Sequence, residues 1–198
     1  MRPQLAPWNR HFCAKSMAEQ TTFRVWHPAD DQALRRLMEH QLSRDPTWPP
    51  AYARAGDLAR WLGEPATLGR WVALSGGSIV GHAGLGVPDT QHDFHFCAQL
   101  ACAPDDLAVI CRMVVAPANR IQGLASLLTR KALRCAIEQG RIPVAEVLTG
   151  RGTWLKMMLD TGWREAAVLP GIGNDERLVL LTPPQHLVAA AQRYRAHA

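Results

Sequence analysis

The alternation of apolar and polar residues predicts a β-strand followed by an amphipathic helix in the first part of the chain. Residues 22–26 have the pattern of a strand. After an acidic pair that suits the first turn of a helix, apolar side chains recur at helical spacing, as at Leu34 and Met38. Prolines interrupt this pattern at residues 45–50, and a short second helix is expected to end at Gly63.

Two further strands, at residues 70–74 and 78–87, are predicted to form a hairpin. The turn between them contains Gly77 and its glycine neighbour, and glycine readily adopts the positive φ that a tight turn needs. Residues 88–106 show no regular period, so we expect a loop there with at most a short strand. Residues 107–115 are almost continuously apolar, which is typical of a strand buried on both faces.

The second half of the chain predicts a long helix from about Ile121 to Gln139, ended by Gly140. The remaining predicted elements are a strand at 144–148, a helix at 153–160, strands at 163–169 and 176–182, and a small basic helix or tail at 184–198. This order of elements predicts an α/β fold. We expect one domain at residues 21–183, preceded by a polar extension at residues 1–20, with Met17 as an alternative start.

Composition narrows the class of protein. With 198 residues and 47% hydrophobic content, the chain can build one core. A net charge of +5 would attract an anionic partner, but it does not distinguish a phosphate-bearing cofactor from nucleic acid or an acidic protein. No apolar run approaches the roughly 20 residues of a membrane span. The five cysteines show no framework spacing, so we expect a cytoplasmic protein.

The junction between the apolar strand and the long helix has the chemistry of an anion site. The first backbone N–H groups of a helix lack intrahelical acceptors and point at an anion. Gly123 would let the backbone approach a phosphate closely, Ala125 is small, and Arg120 adds a positive charge. The sequence therefore predicts a pyrophosphate site at this junction.

This junction resembles the cofactor signature of the GNAT (GCN5-related) N-acetyltransferase superfamily. Residues 115–125 have the superfamily's Val-x-Pro followed by Arg-x-x-Gly-x-Ala, and the order of elements is similar over most of the chain. The resemblance implies a mixed, mostly antiparallel sheet flanked by helices, with a preceding strand that parts from its neighbour to admit acetyl-CoA. It implies direct acetyl transfer to a primary amine of a small molecule or peptide. The cofactor contacts that it implies are Met113, Val114, Val115, Arg120, Ile121, Gln122, Gly123, Leu124, Ala125 and Ser126.

Two positions depart from the pattern of this superfamily. Met158 stands where many members have a tyrosine that protonates the leaving thiolate, and Arg151 stands where many have an asparagine. The catalytic acid is therefore unassigned, and a non-catalytic acyl-CoA-binding regulatory module is the alternative function. A homodimer is compatible with the resemblance.

Four residues are candidates for the general base, and each also has a structural interpretation. Glu146 lies in an apolar strand, where burial of a carboxylate suits it to proton transfer, although it could point outward. His82 could act as a base or be a strand histidine bonded to its neighbours. Asp105 and Asp106 follow Pro104 and are typical of a turn. Cys111, close to the cofactor strand, is interpreted as a core residue rather than a nucleophile.

Other binding chemistry is less well supported by the sequence. Metal-ligand residue types occur at residues 92–102, where two of them would share one face of a strand, but their spacing matches no standard zinc site, so no metal is predicted. The basic cluster at residues 130–134 has no interleaved aromatic, so nucleic-acid binding is not expected. The residues that could line an aromatic acceptor pocket are Trp48, Tyr52, Trp61 and Phe94.

Overall fold

The computed structural model describes residues 21–44, 67–149, 152–170 and 177–197. The predicted N-terminal extension, the proline-rich segment and the short helix before Gly63 lie outside these residues. So do Trp48, Tyr52, Trp61 and Arg151.

A seven-stranded sheet forms the centre of the described structure. Its strands are β1 (Thr21–Val25), β2 (Thr67–Ser75), β3 (Ser78–Gly86), β4 (Leu107–Val115), β5 (Ile142–Leu148), β6 (Arg164–Pro170) and β7 (Arg177–Thr182), in the spatial order β1-β2-β3-β4-β5-β7-β6. The β4–β5 pair is parallel and the other five pairs are antiparallel. The prediction of a mixed, mostly antiparallel sheet is confirmed.

Helices cover both faces of this sheet. They are α1 (Asp31–Arg44), α2 (Thr90–Leu100), α3 (Leu124–Glu138), α4 (Gly152–Asp160) and α5 (Gln185–Arg195). Leu34 and Met38 of α1 pack against Val114, whereas Leu128 of α3 packs with its neighbours against Val115 on the opposite face. Adjacent strand residues point to opposite faces, so α1 and α3 sandwich β4.

The last helix is part of the core. After Pro184, where the sequence predicts a helix or a tail, α5 buries Leu187, Val188 and Ala191 in the main cluster. The same cluster contains fully buried side chains from β4 and β5, including Ile110 and Val144. The C-terminal segment therefore supports the strands at the centre of the sheet.

The prediction of a loop at residues 88–106 is wrong, because Thr90–Leu100 form α2. Asp89 caps this helix, its Oδ1 accepting from the Gln91 N–H at 2.9 Å, and Ala101 ends it with a left-handed φ of 50°. Only Phe96 is fully buried in α2, so the apolar periodicity that identifies a helix is nearly absent from its sequence.

The predicted start of the long helix at Ile121 is also wrong by three residues. Pro117–Gln122 form a 3₁₀ helix, Gly123 adopts a left-handed φ of 72°, and α3 begins at Leu124. The left-handed glycine interrupts the regular α-helical hydrogen bonds, so the two segments are separate helices.

Candidate functional site

A cleft opens in the sheet between β4 and β5. Their parallel pairing ends at Ile110 and Ala145, yet β4 continues to Val115 and β5 to Leu148. Beyond this point the two strands no longer pair with each other. The separation that the family resemblance implies is therefore present in the structure.

A β-bulge in β4 accompanies the separation. His82 pairs with Val114 while Gly84 pairs with Cys111, so β4 has one more residue than β3 over this interval. Arg112 lies inside the bulge with a φ of 54°, a conformation that is uncommon for a residue with a side chain. A bulge bends its strand and disrupts the local ladder, which directs β4 away from β5.

His82 holds this bulge from the neighbouring strand. Its Nδ1 lies 2.9 Å from the Arg112 carbonyl oxygen and its Nε2 lies 3.4 Å from Arg70 Nε, so the neutral ring donates from Nδ1 and accepts at Nε2. The ring is fully buried, and this burial lowers its pKa to about 4. The structure thus places this candidate base inside the sheet, with both ring nitrogens occupied.

Glu146 lies at the mouth of the cleft and is hydrogen-bonded to a histidine from α2. It is the first β5 residue after the last β4–β5 pair, and its Oε1 is 3.0 Å from His92 Nδ1. Both side chains are about one-fifth exposed, at 23% and 20%. The hydrogen bond to Glu146 raises the pKa of His92. The pair can therefore hold and move a proton beside the cleft.

The Glu146–His92 pair is not among the sequence-based predictions, because these place no helix at residues 88–106 and include His92 only as a metal-ligand residue type. The signal that could have found it is Asp89, a typical helix cap after Pro88, followed by eleven helical residues without glycine or proline. The other two base candidates lie elsewhere. Asp105 and Asp106 belong to a 3₁₀ helix at the opposite end of β4, where Asp106 accepts from the Ala103 N–H at 3.0 Å.

The start of α3 forms an open backbone turn on the other side of the cleft. The Leu127 N–H makes a 3.1 Å bond to the Gly123 carbonyl, so the N–H groups before it lie in the part of a helix that lacks intrahelical acceptors. A Cβ placed on Gly123 would meet no atom within 4 Å. This open space and the exposed amides are suited to a phosphate group.

The other predicted cofactor residues surround this turn. Leu124 is buried, and the Ser126 hydroxyl lies 2.9 Å from the Met157 Sδ of α4. The side chains of residues 120–122 lie outside the described part of the chain. On β4, Met113 and Val115 pack on the α3 side and Val114 on the α1 side, so their backbone atoms rather than their side chains are available at the strand edge.

Met158 and Cys111 have no catalytic chemistry in this arrangement. Met158 is fully buried within the main core, and its thioether has no proton to donate. Cys111 packs against the same core, and burial raises the pKa of its thiol to about 11. A thiol is a nucleophile only as the thiolate, which this environment disfavours.

The residues considered for a metal lie on α2 and just after it, not on a strand. His95 and Cys97 are two positions apart on a helix, so their side chains point in different directions and do not share the strand face that was predicted. Within residues 21–44, 67–149, 152–170 and 177–197, no group of three or more His, Cys, Asp or Glu residues could hold a metal ion. Among the same residues, no helix is both long and apolar enough to span a membrane.

Comparisons with known proteins agree with this geometry. The fold is similar to that of the ribosomal-protein-S18-alanine N-acetyltransferase from Escherichia coli, with 15% identity, coverage of 83% of this chain and 93% of that one, and a TM-score of 0.59. Ard1 from Thermoplasma volcanium is 21% identical, with coverage of 83% and 98% and a TM-score of 0.58. The structure of yncA from Salmonella typhimurium with its cofactor acetyl-CoA is 17% identical, with coverage of 82% and 92% and a TM-score of 0.58.

These identities show the fold alone, and no curated protein matches the chain significantly. The family follows from a separate match, in which the model of the acetyltransferase (GNAT) family covers residues 32–151. That segment is more than half of the chain and includes the β4–β5 cleft, the Gly123 turn and Glu146. The chain therefore belongs to the GNAT acetyltransferase family, which uses acetyl-CoA for acetyl transfer.

Proposed function

We propose that this protein is an N-acetyltransferase that moves the acetyl group of acetyl-CoA directly to a primary amine of a small molecule or peptide. The observation that carries the proposal is the Glu146–His92 hydrogen bond of 3.0 Å at the mouth of the β4–β5 cleft. This hydrogen bond supports the proposal because it would put a proton-accepting pair at the opening of the cofactor cleft. The four cysteines that the structure describes are free thiols, which fits a protein of the reducing cytoplasm.

The cofactor would be held mainly by backbone atoms. The amides of Gly123 to Ser126, with residues 120–122 before them, would bind the pyrophosphate, because the turn at Gly123 leaves space for it. The edge of β4 at residues 113–115 would bind the pantetheine arm, since β5 has separated from it. The bound cofactor would supply an acyl thioester at the cleft.

Glu146 and His92 would handle the protons of the reaction. An amine arrives largely as an ammonium ion and must lose a proton before its nitrogen can attack the thioester carbon. Glu146 would accept that proton before the C–N bond forms, and the nitrogen would lose a second proton as the C–S bond breaks. His92, protonated more readily because of Glu146, would return a proton to the departing sulfur. The sum is an amide, a thiol and one proton released.

This assignment accounts for the absence of the usual tyrosine. Met158 cannot donate a proton, and its side chain is fully buried. His82 is less suited to the role of base, because both ring nitrogens are occupied and its pKa is lowered to about 4 by burial. An imidazole that stays neutral and enclosed supports the backbone rather than exchanging protons with a substrate.

The test is turnover with Glu146→Gln. We expect CoA release from acetyl-CoA with at least one member of a panel of amines, peptides and aminoglycosides. In the variant, kcat should fall about 100-fold or more, as when a general base is removed, while calorimetric binding of acetyl-CoA stays unchanged. Glu165→Gln, which changes an exposed glutamate of β6, is the matched control and should behave as the wild type.

Two results would count against the proposal. If wild-type protein binds acetyl-CoA but acetylates no member of the panel, the chain is a non-catalytic acyl-CoA-binding module. If Glu146→Gln retains full kcat while the panel member is turned over, the protein is an acetyltransferase whose base is a different group.

A further inference from the structure

Arg70 of β2 is a buried arginine with an unused hydrogen-bond donor. Its relative exposure is 8%, and its Nη2 is buried without a hydrogen-bond partner among the described residues. An unsatisfied buried donor is rare in native proteins and costs free energy, more so when it is charged. Such a group is expected to have a partner that is supplied from outside the chain.

The surroundings of Arg70 fix its orientation and leave Nη2 without a hydrogen-bond partner among the described residues. The guanidinium carbon lies 3.8 Å from the ring centroid of Trp26, and Nε donates to His82 at 3.4 Å. Stacking uses the face of the guanidinium plane, whereas its N–H groups donate within the plane. Trp26 is held in turn by its own hydrogen bond of 3.1 Å to Asp31.

No direct ion pair with a residue that the structure describes balances the charge at this position. Asp31 attracts Arg70 electrostatically but accepts its hydrogen bond from Trp26, and the nearby Arg112 repels Arg70. Burial is the main cause that lowers the pKa of Arg70, and arginine nevertheless stays charged in proteins. The site therefore favours an anion.

The sheet register places Arg70 and Glu146 on one face and in one row. Arg70 pairs with Gly84, Gly84 pairs with Cys111, and Cys111 and Glu146 each follow the last β4–β5 pair. Residues opposite each other share a face. Three strand spacings separate the two ends, about 14 Å between backbones, and the side chain of Arg70 leans toward β3. Between them lie Gly84, which has no side chain, and Cys111, whose side chain is small.

We propose that Arg70 binds an oxyanion, a carboxylate or a phosphate, carried by the acceptor whose amine reacts at Glu146. This proposal rests on the proposed function, since it makes Arg70 a specificity-determining residue of the same site. The acceptor would be an amine with a negative group on the order of 10 Å away, as the row of strands at a spacing of about 4.8 Å sets the separation. An N-terminal peptide with an acidic side chain and a lysine-like amino acid have this chemistry.

Binding without turnover is the first test. The probes are glutarate, inorganic phosphate and the neutral glutaramide, each titrated at millimolar concentration while the NMR signal of the Arg70 Nε–H is followed. That signal is assigned by its loss in Arg70→Met, which keeps an unbranched side chain against Trp26; Arg164→Met on β6 is the matched control. A shift with glutarate or phosphate but not with glutaramide supports the proposal and identifies the anion. No shift with either anion overturns it.

Turnover is the second test, with acceptors in matched pairs: the dipeptide Ala-Glu against Ala-Gln, both amidated at the C-terminus so that only the side chain differs in charge, and lysine against cadaverine. We expect the wild type to prefer the acidic member by about 10-fold or more in kcat/KM, the size of a charged hydrogen bond. Arg70→Met should lower kcat/KM for that member only, and Arg70→Lys should lower it less. Equal use of both members by the wild type overturns the proposal, whether or not a variant folds. If no amine is acetylated, the NMR titration still shows whether Arg70 binds an anion, and only the proposed function fails.

Discussion

The clearest quantitative expectation concerns His82 and its replacement by asparagine. His82 is fully buried, with Nδ1 donating to the carbonyl of Arg112 inside the β4 bulge. Asparagine can place an amide N–H near the position of Nδ1, but it has no titratable group. His82→Asn therefore separates the hydrogen bond to the bulge from the protonation of the ring.

The magnitude follows from the pKa of the ring. Burial lowers it from 6.5 to about 4 in the folded protein. Below pH 6.5 the unfolded chain takes up a proton that the folded chain refuses, so folding stability decreases as the pH falls from 6.5 toward 4. Each pH unit in that window corresponds to about 1.4 kcal/mol, which gives a loss of about 2 kcal/mol between pH 8 and pH 5. Above pH 7 the contribution is constant.

The assay is urea denaturation of both proteins at pH 8 and pH 5, followed by circular dichroism. Other groups also titrate in this range, so the relevant quantity is the difference in unfolding free energy between wild type and variant. We expect His82→Asn to be the less stable protein at pH 8, by about 1 kcal/mol for an imperfect hydrogen bond. At pH 5 this difference should have changed by about 2 kcal/mol, so that His82→Asn becomes the more stable protein by about 1 kcal/mol.

A parallel loss of stability in the two proteins between pH 8 and pH 5 would refute this reasoning, because it would mean that the His82 ring titrates normally in the folded state. A second check is the His82 ring signal in NMR spectra, which should remain that of neutral imidazole at pH 5.

Three other outcomes are expected. Gly123→Ala should lower the free energy of unfolding by about 1–2 kcal/mol, because alanine disfavours a φ of 72° even though its Cβ would meet no atom within 4 Å. The same change should weaken acetyl-CoA binding in calorimetry. The control is Gly76→Ala on the hairpin, where φ is 55° in equally open space; it should lose similar stability with unchanged acetyl-CoA binding. Leu128→Ala, which removes a fully buried side chain of α3, should cost about 2–5 kcal/mol in urea denaturation, and a cost below 1 kcal/mol would contradict its burial. Glu146→Gln should lower the pKa of His92 in an NMR titration, and the stabilisation from this pair, complete below pH 6.5, should be lost as the pH rises through the raised pKa.

The local pattern of apolar and polar residues was sufficient to predict much of the sheet. The strand at residues 107–115 was predicted at its exact bounds, because a strand buried on both faces is continuously apolar and is ended by Pro117. The hairpin between β2 and β3 was predicted from its glycines for an equally local reason, since both have positive φ, at 55° and 78°. The 3₁₀ helix before Gly123 was missed, because apolar periodicity does not distinguish the two kinds of helix over one turn.

The features of the candidate site also divide into those predicted from the sequence and those that depend on the tertiary structure. The sequence alone determined the Gly123 turn, the family and the apolar strand before that turn, because these depend on residues adjacent in the chain. Only the tertiary structure decided which base candidate lies at the cleft. Glu146 is hydrogen-bonded to a histidine 54 positions earlier, and His82 of β3 is hydrogen-bonded to the carbonyl of Arg112 on the adjacent strand β4. Arg70 lies in one row of the sheet with Glu146. Such contacts are set by strand register and by the packing of α2, which no local pattern specifies.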